Sequence, residues 1–426
     1  MALILSPDPS DPILDRPAAA TPMAARGPRR FVPGVAVVLL ALTLFFNPAL
    51  AIVNGHVRPL GGGIVAGVQA VLVLGAFACG LASRPLPIRW LLLAWVATLA
   101  FIALCVMRGE VVAKDLGDAL LIPGFICLGT QLSERSLLRT AGWLQLAVVA
   151  VGAWELVSPG TFGAVFRILD YYVSTRGFSK EEFWAGGDLF VSSERGGGRM
   201  LLAWTGFHRG SSLFLEPVSL GNWSVVIAIL LGAYWDRLSV RARMLFAASI
   251  VWTLFVCDGR LALGVCLFLA VWLPVARRLD ARLAVLYVPL IFVLLLALDS
   301  VGALPASGDT LTGRFHGGVT LLVSLTPAQL MGVGGLGKAA VDAGWVYVVE
   351  TQSAPMASFL WLMLMLSRSG QDPGARTMKH GVGLFIALCL PITYAILSIK
   401  TSALMWAMYG QFFQSNMVKK LPAATS

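Results

Sequence analysis

Long uninterrupted apolar runs are the feature of this sequence that most constrains its fold. A helix needs about 20 apolar residues to cross the ~30 Å hydrocarbon core of a bilayer. Eight runs come close to that length, namely 34–53, 62–82, 88–107, 138–157, 217–235, 283–299, 346–366 and 382–399. Four shorter candidates accompany them, at 116–131, 244–257, 261–276 and 401–415. The sequence therefore predicts an all-α, polytopic membrane helix bundle with about 12 transmembrane helices.

The composition excludes the main alternative folds. Of the 426 residues, 58% are hydrophobic and 13% are charged, whereas a soluble domain carries about 25% charged residues. A water-soluble surface cannot be built from so few charges. A β-barrel is excluded as well, because its strands alternate in polarity and these runs are apolar on every face.

The distribution of Lys and Arg predicts the orientation. Twelve crossings place both termini on one side, and with that side in the cytoplasm the short inward connections hold most of the cations, as the positive-inside rule requires. The net charge of +10 is then explained by orientation, and no nucleic-acid partner is predicted. We expect a disordered cytoplasmic tail at 1–33, a single membrane domain at 34–416 and a second cytoplasmic tail at 417–426.

Two long outward loops, at about 158–212 and 300–345, are where we expect the function to lie, since the other connections are short. Within the first loop, residues 161–173 place apolar side chains at helical spacing. That stripe indicates a helix that either lies in the membrane interface or packs on the bundle. It comprises Phe162, Val165, Phe166, Leu169 and Tyr172.

Charged residues interrupt the run 244–276 at Asp258-Gly259-Arg260. The first half, 244–257, spans only about 21 Å at 1.5 Å per residue, so we expect the turn to lie below the outer surface in a water-filled or protein-lined recess. Charges at membrane depth usually mark a functional site. The alternative is a local Asp258–Arg260 pair that caps a tight helical hairpin.

A second polar cluster, 208–221, follows the first loop. Pro217 suits the first turn of a helix and Glu216 suits the positive end of its dipole, so capping alone accounts for Glu216. Arg209, with His208 beside it, lies just before the membrane entrance, where a guanidinium can bind a phosphate through two hydrogen bonds. The alternative is a solvated loop cation beside an ordinary surface histidine.

The second loop contains Arg314 and His316, which are either site residues or solvated loop residues. The glycines of 332–337 match GxGxxG, but no βαβ unit surrounds them, so we reject a dinucleotide site in favour of a flexible turn that lets backbone approach a ligand. Asp342 and Tyr347 lie at the start of the next apolar run. Because the chain lacks a Walker A sequence, zinc-ligand spacing and a DxD pair, no cofactor or metal is predicted.

Taken in order, these motifs resemble those of the Wzy-type bacterial polysaccharide polymerases, within the O-antigen polymerase and ligase group. The resemblance rests on Arg209 followed by Ser-Leu-Phe-Leu-Glu-Pro-x-x-Leu-Gly, on Asp-Gly-Arg between two helices, on Gly-x-Gly, and on Asp-x-Gly-x-x-Tyr ending at Tyr347. The group commonly has Ser-Arg at the helix-pair motif, so Arg260 carries over and Asp258 does not. Ligases of the group usually carry a histidine where this chain has Asp342, which favours a polymerase, although His316 keeps a ligase open.

The resemblance implies a glycosyltransferase of the bacterial inner membrane. It would transfer glycan from undecaprenyl diphosphate to another lipid-linked repeat unit at the periplasmic face, with chain-length and export proteins as partners. Arg209 and Arg260 would bind the diphosphate with Arg314 as a third cation, and Glu216, Asp342 or His316 would be the base. The substrate-binding candidates are His208, Asp258 and Tyr347. The alternatives are a ligase-type glycan transferase and a twelve-helix transporter or flippase of lipid-linked saccharides.

Overall fold

A computed structural model describes residues 31–82, 86–179, 188–190, 192–193, 201–305, 310–334, 343–367 and 372–418. The predicted tails lie outside these ranges, apart from their edges. Helix α1 begins at Phe31 and the last helix ends at Val418, so the helical domain is slightly longer at both ends than the predicted 34–416.

Within the described ranges all regular structure is helical, as predicted, and no strand is present. The α-helices are α1 Phe31–His56, α2 Gly62–Leu81, α3 Ile88–Arg108, α4 Ala113–Gly129, α5 Glu134–Val157, α6 Pro159–Phe166, α7 Ile168–Arg176, α8 Pro217–Ala233, α9 Val240–Cys257, α10 Arg260–Ala276, α11 Tyr287–Ser300, α12 Leu311–Val323, α13 Pro327–Leu330, α14 Gly344–Gln352, α15 Ala354–Met365, α16 Pro373–Cys389 and α17 Ile399–Val418. Short 3₁₀ helices lie at Ala203–Thr205, Ser212–Phe214, Trp235–Arg237, Ala281–Leu286 and Ala395–Leu397.

Six helical segments in the described part are long and apolar enough to cross a membrane. They are α1, α2, α3, α5, α9 and the combined segment Ala281–Ser300. Helices α8, α10 and α15 are apolar but shorter. The chain thus has the long apolar helices of a membrane protein.

Helix α9 is longer than the apolar run 244–257, from whose short length we predicted a turn below the membrane surface. The helix begins at Val240, because the Ser239 side chain caps it by accepting from the Ala242 amide. Its 18 residues span about 27 Å at 1.5 Å per residue, and it is one of the six long apolar segments. Helix length therefore gives no reason to place Asp258 below the surface.

The predicted run 346–366 is two helices. Ser353 has φ 65°, in the left-handed region, and separates α14 from α15. Its side chain accepts a hydrogen bond from the Met356 amide and so caps α15. The apolar pattern could not show this break, because hydrophobicity continues through it.

The predicted run 382–399 is misplaced by about ten residues. Helix α16 starts at Pro373, capped by the Asp372 side chain on the Gly374 amide, and ends at Cys389. Lys379 lies inside the helix and is fully buried, because its ammonium donates to the carbonyls of Met365 and Ser367 at the end of α15. A cation can be buried where it donates to the free carbonyls at the end of a helix. The hydropathy pattern instead placed Lys379 outside the predicted run, so the helix was expected to start after it.

Helix α4 lies at the centre of the bundle. Most of its residues are buried, from Asp115 to Gly129, and it packs against α2, α3 and α17. A Cβ at Gly129 would lie 2.0 Å from the Ala407 carbonyl oxygen, and one at Gly410 would lie 2.0 Å from that of Ile126. Glycine is therefore required where α4 and α17 cross.

Polar contacts gather at two opposite ends of the bundle. At one, Arg237 pairs with Glu134 at 2.6 Å and with Asp372 at 2.5 Å, which joins the end of α8 to the starts of α5 and α16. We call this the Arg237 end. The opposite end, the Glu155 end, brings together the last turns of α5 and α9, the start of α17 and the segment 208–216.

Candidate functional site

The segment 208–216 is held at the Glu155 end by one buried carboxylate. Glu155, near the end of α5, is completely buried. Its Oε2 accepts from the amides of Ser211 at 2.7 Å and Ser212 at 2.6 Å, and its Oε1 accepts from the Ser211 hydroxyl at 3.0 Å. The His208 Nε2 lies 3.7 Å from the same Oε1. Glu155 thus fixes the backbone next to His208 and Arg209.

The backbone of this segment is strained. Ser212 and Leu215 have φ 50° and 59°, a conformation that costs a residue other than glycine about 1–3 kcal/mol. The Ser212 hydroxyl donates to the Val148 carbonyl at 2.7 Å, and Lys400 donates to the Phe214 carbonyl at 2.8 Å. Strain persists only where its surroundings fix it, and these contacts supply that restraint.

The structure brings the Arg209 motif and the Asp258-Gly259-Arg260 turn together. The Arg209 Nε donates to the Cys257 carbonyl at 3.0 Å, and the Gly210 amide donates to that of Val256 at 2.8 Å. Asp258 follows at φ 46° as the left-handed residue that ends α9, and Arg260 begins α10. Two arginines therefore lie within a few residues of one helix terminus.

Asp258 is buried although α9 is long. Only 3% of it is exposed, and its Oδ2 accepts from the Leu201 amide at 3.2 Å. The burial predicted for Asp258 is therefore present although α9 is not short, and the Leu201 amide of the preceding loop is one of the groups in contact with it.

Glu216 is the second buried carboxylate of the site. It pairs with Arg176 at 2.8 Å and with Lys400 at 3.1 Å, and it accepts from the Ser219 hydroxyl at 2.8 Å. Glu216 occupies the N-cap position of α8, but its side chain makes no capping bond to the helix backbone. The predicted position at the start of the helix is confirmed, but capping alone does not account for Glu216, because its carboxylate pairs with two cations.

These cations determine the charge of Glu216. Burial alone would raise the pKa of Glu216, but Arg176 and then Lys400 outweigh burial and hold this pKa well below its usual range. Burial likewise would lower the pKa of Arg176, and Glu216 raises it, with smaller contributions from Tyr172 and Tyr394. Both groups are therefore fully charged near neutral pH.

Helices α6 and α7 carry Arg176 to this carboxylate. The predicted single helix at 161–173 is two helices, because Arg167 at φ 41° separates them. Phe162 and Tyr172 are completely buried in a cluster with Ala51 and Leu215, so the stripe packs on the bundle. The Arg176 guanidinium lies 4.5 Å from the centre of the Tyr172 ring.

Arg314 and His316 lie on α12, within the second predicted loop. The His316 Nδ1 is 2.5 Å from the Asp299 carboxylate near the end of α11. The side chains of His316 and Asp299 are both partly exposed. A histidine held by a carboxylate through one ring nitrogen presents the other nitrogen for proton transfer.

Tyr347, at the start of α14, belongs to a separate polar group on α4. Its hydroxyl donates to Asp118 at 2.5 Å and accepts from Lys114, and Lys114 also pairs with Asp118 at 3.3 Å. The Tyr347 ring stacks on Tyr394 with 4.2 Å between ring centres. Asp342 lies outside the described residues.

The described part of the predicted glycine turn contains Gly332 and Gly334, at φ 78° and 88°. The glycine backbone was predicted to approach a ligand, and in the structure it contacts a side chain of another helix. The Arg108 Nε donates to the Gly332 carbonyl at 2.6 Å, and Arg108 also donates to the Glu350 carbonyl and pairs with Asp115 at 2.8 Å.

The sequence analysis missed three residues that organise the site, Glu155, Arg176 and Lys400, and one, Asp118, that organises the separate polar group of Tyr347. Glu155 and Asp118 each lie in an apolar run, and a carboxylate at that depth is a signal of function that could have found them. In the sequence Arg176 is an ordinary loop cation and Lys400 lies in a short connection between apolar runs, and only the fold brings them to Glu216.

Comparison with known proteins adds no identification. No protein-family model matches this chain, and no curated protein or solved structure matches it significantly.

Proposed function

We propose that this protein is a bacterial inner-membrane glycosyltransferase that polymerises a polysaccharide from lipid-linked repeat units. It would take glycan from undecaprenyl diphosphate and add it to the sugar end of a second lipid-linked unit at the periplasmic face. The observation that carries the proposal is the contact of Arg209 with the Cys257 carbonyl at 3.0 Å. That contact brings the two arginine motifs of the proposed family to one end of the bundle.

The reaction is a substitution at the anomeric carbon of the donor sugar. The bond from that carbon to the diphosphate oxygen breaks, and its electron pair leaves with the diphosphate. A new bond forms to the acceptor hydroxyl, whose proton passes to a base. Arg209 and Arg260 would neutralise the departing charge, a contribution that typically amounts to 10²–10³ in rate for one such donor. The energy is supplied by the substrate, and the proposal includes no metal.

The contacts favour His316 over Glu216 as the base. A base works best with a pKa near the working pH, whereas two cations hold the pKa of Glu216 well below its usual range. Asp299 orients the His316 ring through Nδ1. Glu216 instead stabilises the fold that carries Arg209.

We further propose twelve crossings with both termini in the cytoplasm. Beside the six long apolar segments, the crossings would be α4, α8, α10, the pair α14–α15, α16 and α17. The ion pairs of Arg237 and the contacts of Glu155, at opposite ends of the bundle, support this alternation. Fluorescent protein fused to either terminus should fold and fluoresce in the cytoplasm, and loss of fluorescence at one terminus would contradict an even number of crossings.

The test of the function is polymer length in cells that carry Arg209→Ala or Arg260→Ala. Both variants should insert normally and lose long polymer by about 100-fold or more. Lysine at either position should also fail, because it cannot reproduce the two-pronged geometry of a guanidinium. Arg58→Ala is the matched control, since Arg58 is an exposed cation after α1. Long polymer made normally by both alanine variants would overturn the proposal.

Transport of lipid-linked saccharides is a second candidate, favoured by the break between α14 and α15. Discontinuous membrane helices are typical of secondary transporters. The two functions leave different intermediates in a deletion strain. A missing polymerase leaves single repeats outside the membrane, and a missing flippase leaves them inside.

A further inference from the structure

A large apolar cavity lies between α3, α4, α11, α14 and α15. Its volume is about 550 Å³, within the range of ligand pockets. Hydrocarbon and aromatic side chains dominate its lining, among them Leu93, Ile122, Phe292 and Trp361. Neither Arg209 nor Arg260 lines the cavity, and the polar contacts of the candidate site do not explain its presence.

The chemistry of the lining determines what the cavity can hold. Ordered water needs two to four polar partners, and the cavity offers almost none. Two lining residues, Leu286 and Leu362, are also 47% and 44% exposed, so the cavity opens on an apolar outer face of the bundle. A hydrocarbon chain entering from the bilayer is the occupant that this surface fits.

One part of the lining is polar. Asp118 is the only carboxylate that lines the described cavity, and it binds Lys114 and the Tyr347 hydroxyl. The Lys114 side chain is 53% exposed, so its ammonium is accessible to an anionic head group while the chain lies in the cavity. Arg108 lies in the same layer, paired with Asp115.

Aromatic stacking links this polar layer to the candidate site. Tyr347 stacks on Tyr394, which lies in the segment that leads into α17. Lys400, near the start of α17, pairs with Glu216, which precedes α8 and follows the Arg209 motif. A lipid with its chain in the cavity would therefore have its head group on the side of the bundle that carries the site.

We propose that this cavity binds the polyprenyl chain of the acceptor lipid, with Lys114 near its phosphate, while Arg209 and Arg260 bind the diphosphate of the donor. The inference rests on the proposed function and adds to it a binding site for the lipid. A polyprenyl diphosphate has one chain for each head group, which suits a single cavity, whereas a phospholipid would have to leave its second chain outside.

The experiment is photo-crosslinking of the full-length protein in nanodiscs. The probe is a polyprenyl monophosphate with a diazirine at the far end of its chain, and the crosslinked peptides are mapped by mass spectrometry. We expect crosslinks in α3, α11 and α15. Unlabelled polyprenyl phosphate should compete with the probe, and an equal excess of phosphatidylglycerol should not.

Filling the cavity gives a second readout. Ala97→Trp and Ala357→Trp place a large ring among lining residues, and each should reduce crosslinking and polymer yield at least tenfold. Ala103→Trp is the matched control on α3, where the side chain is exposed and lies outside the lining. Ala357 is only half-buried, so Ala357→Trp should fold, and it can still be measured if Ala97→Trp does not fold.

The outcomes separate this inference from the function. Crosslinks elsewhere, normal polymer in a folded Ala357→Trp variant, or displacement of the probe by phosphatidylglycerol would each overturn the cavity assignment and leave the polymerase standing. Absence of any polyprenyl binding, together with absence of polymer from the wild-type protein, would overturn both.

Discussion

Glu155 accepts a 2.6 Å hydrogen bond from the amide of Ser212, a residue held at φ 50°. A completely buried carboxylate thus stabilises a backbone conformation that serine rarely adopts. The same turn carries His208 and Arg209 on one side and Glu216 on the other. The relation indicates that the geometry of the candidate site depends on a residue that need not touch the substrate.

Replacing Glu155 tests this dependence. Glu155→Ala leaves two buried amides without an acceptor, and we expect a loss of about 3 kcal/mol of unfolding free energy, since hydrogen bonds to a charged group contribute about 1.5–3 kcal/mol each. Glu155→Gln retains one carbonyl oxygen and should lose less. Thermal unfolding in detergent measures both, and equal melting temperatures for alanine and wild type would show that the carboxylate does not hold the turn.

Gly210→Ala tests how closely this turn packs on α9. An alanine Cβ would lie 2.4 Å from the Val256 Cγ1 and 3.3 Å from the Glu155 Oε2. We expect a cost of about 1–3 kcal/mol from overpacking and a matching fall in polymer yield. Gly160→Ala is the control, since nothing lies within 4 Å of a Cβ there, and it should behave as wild type.

The ion pair of Glu216 and Lys400 should be strongly coupled because it is buried. Glu216→Gln leaves the buried Lys400 ammonium without its carboxylate, a change that typically costs 3–5 kcal/mol, whereas Lys400→Met leaves Glu216 paired with Arg176 and should cost less. The double variant should therefore be much less destabilised than the sum of the two single variants. The same cycle on Glu134 and Arg237, a more exposed pair, should give about 1 kcal/mol or less. Equal coupling in the two cycles would contradict the buried position of Glu216.

The low pKa of Glu216 predicts a specific acid sensitivity. A carboxylate whose folded pKa is depressed stabilises the fold fully above its unfolded value, 4.5 for glutamate, and loses that contribution as the pH falls towards the folded pKa. Unfolding followed between pH 7 and pH 3 should show this contribution constant down to about pH 5 and declining below it. Glu216→Gln should remove that part of the decline. An unchanged pH profile in the variant would mean that Glu216 is not held charged by its cations.

Much of the helical fold could be predicted because crossing a membrane requires long apolar runs, and α2 and α3 match theirs to within a residue. The helix boundaries were mispredicted where polar contacts, and not hydrophobicity, determine the start or end of a helix. Buried Lys379 satisfies carbonyls at the end of α15, so α16 starts well before its apolar part. Ser353 breaks a run whose hydrophobicity continues, because the break depends on backbone conformation and capping.

The candidate site could be predicted only where its residues are close in sequence. Arg209 and Glu216 share a segment, and the neighbouring Asp258–Arg260 turn was recognisable by its charges in an apolar run. Arg176 and Lys400 meet Glu216 from other helices, so their pairing follows from packing and has no local signature. The role of Glu155 also depends on packing, since its partners are backbone amides more than fifty residues away.

Reconstitution of the purified protein tests whether it polymerises lipid-linked repeat units. Purified protein in proteoliposomes would receive a polyprenyl-diphosphate-linked repeat unit on its outer surface, and product length would be followed by gel electrophoresis, with the Arg209→Lys variant in parallel. We expect a ladder of several repeats from the wild-type protein and single repeats from the variant. A single transfer without elongation would indicate a ligase-type transferase. Single repeats left unchanged by folded wild-type protein would contradict a polymerase.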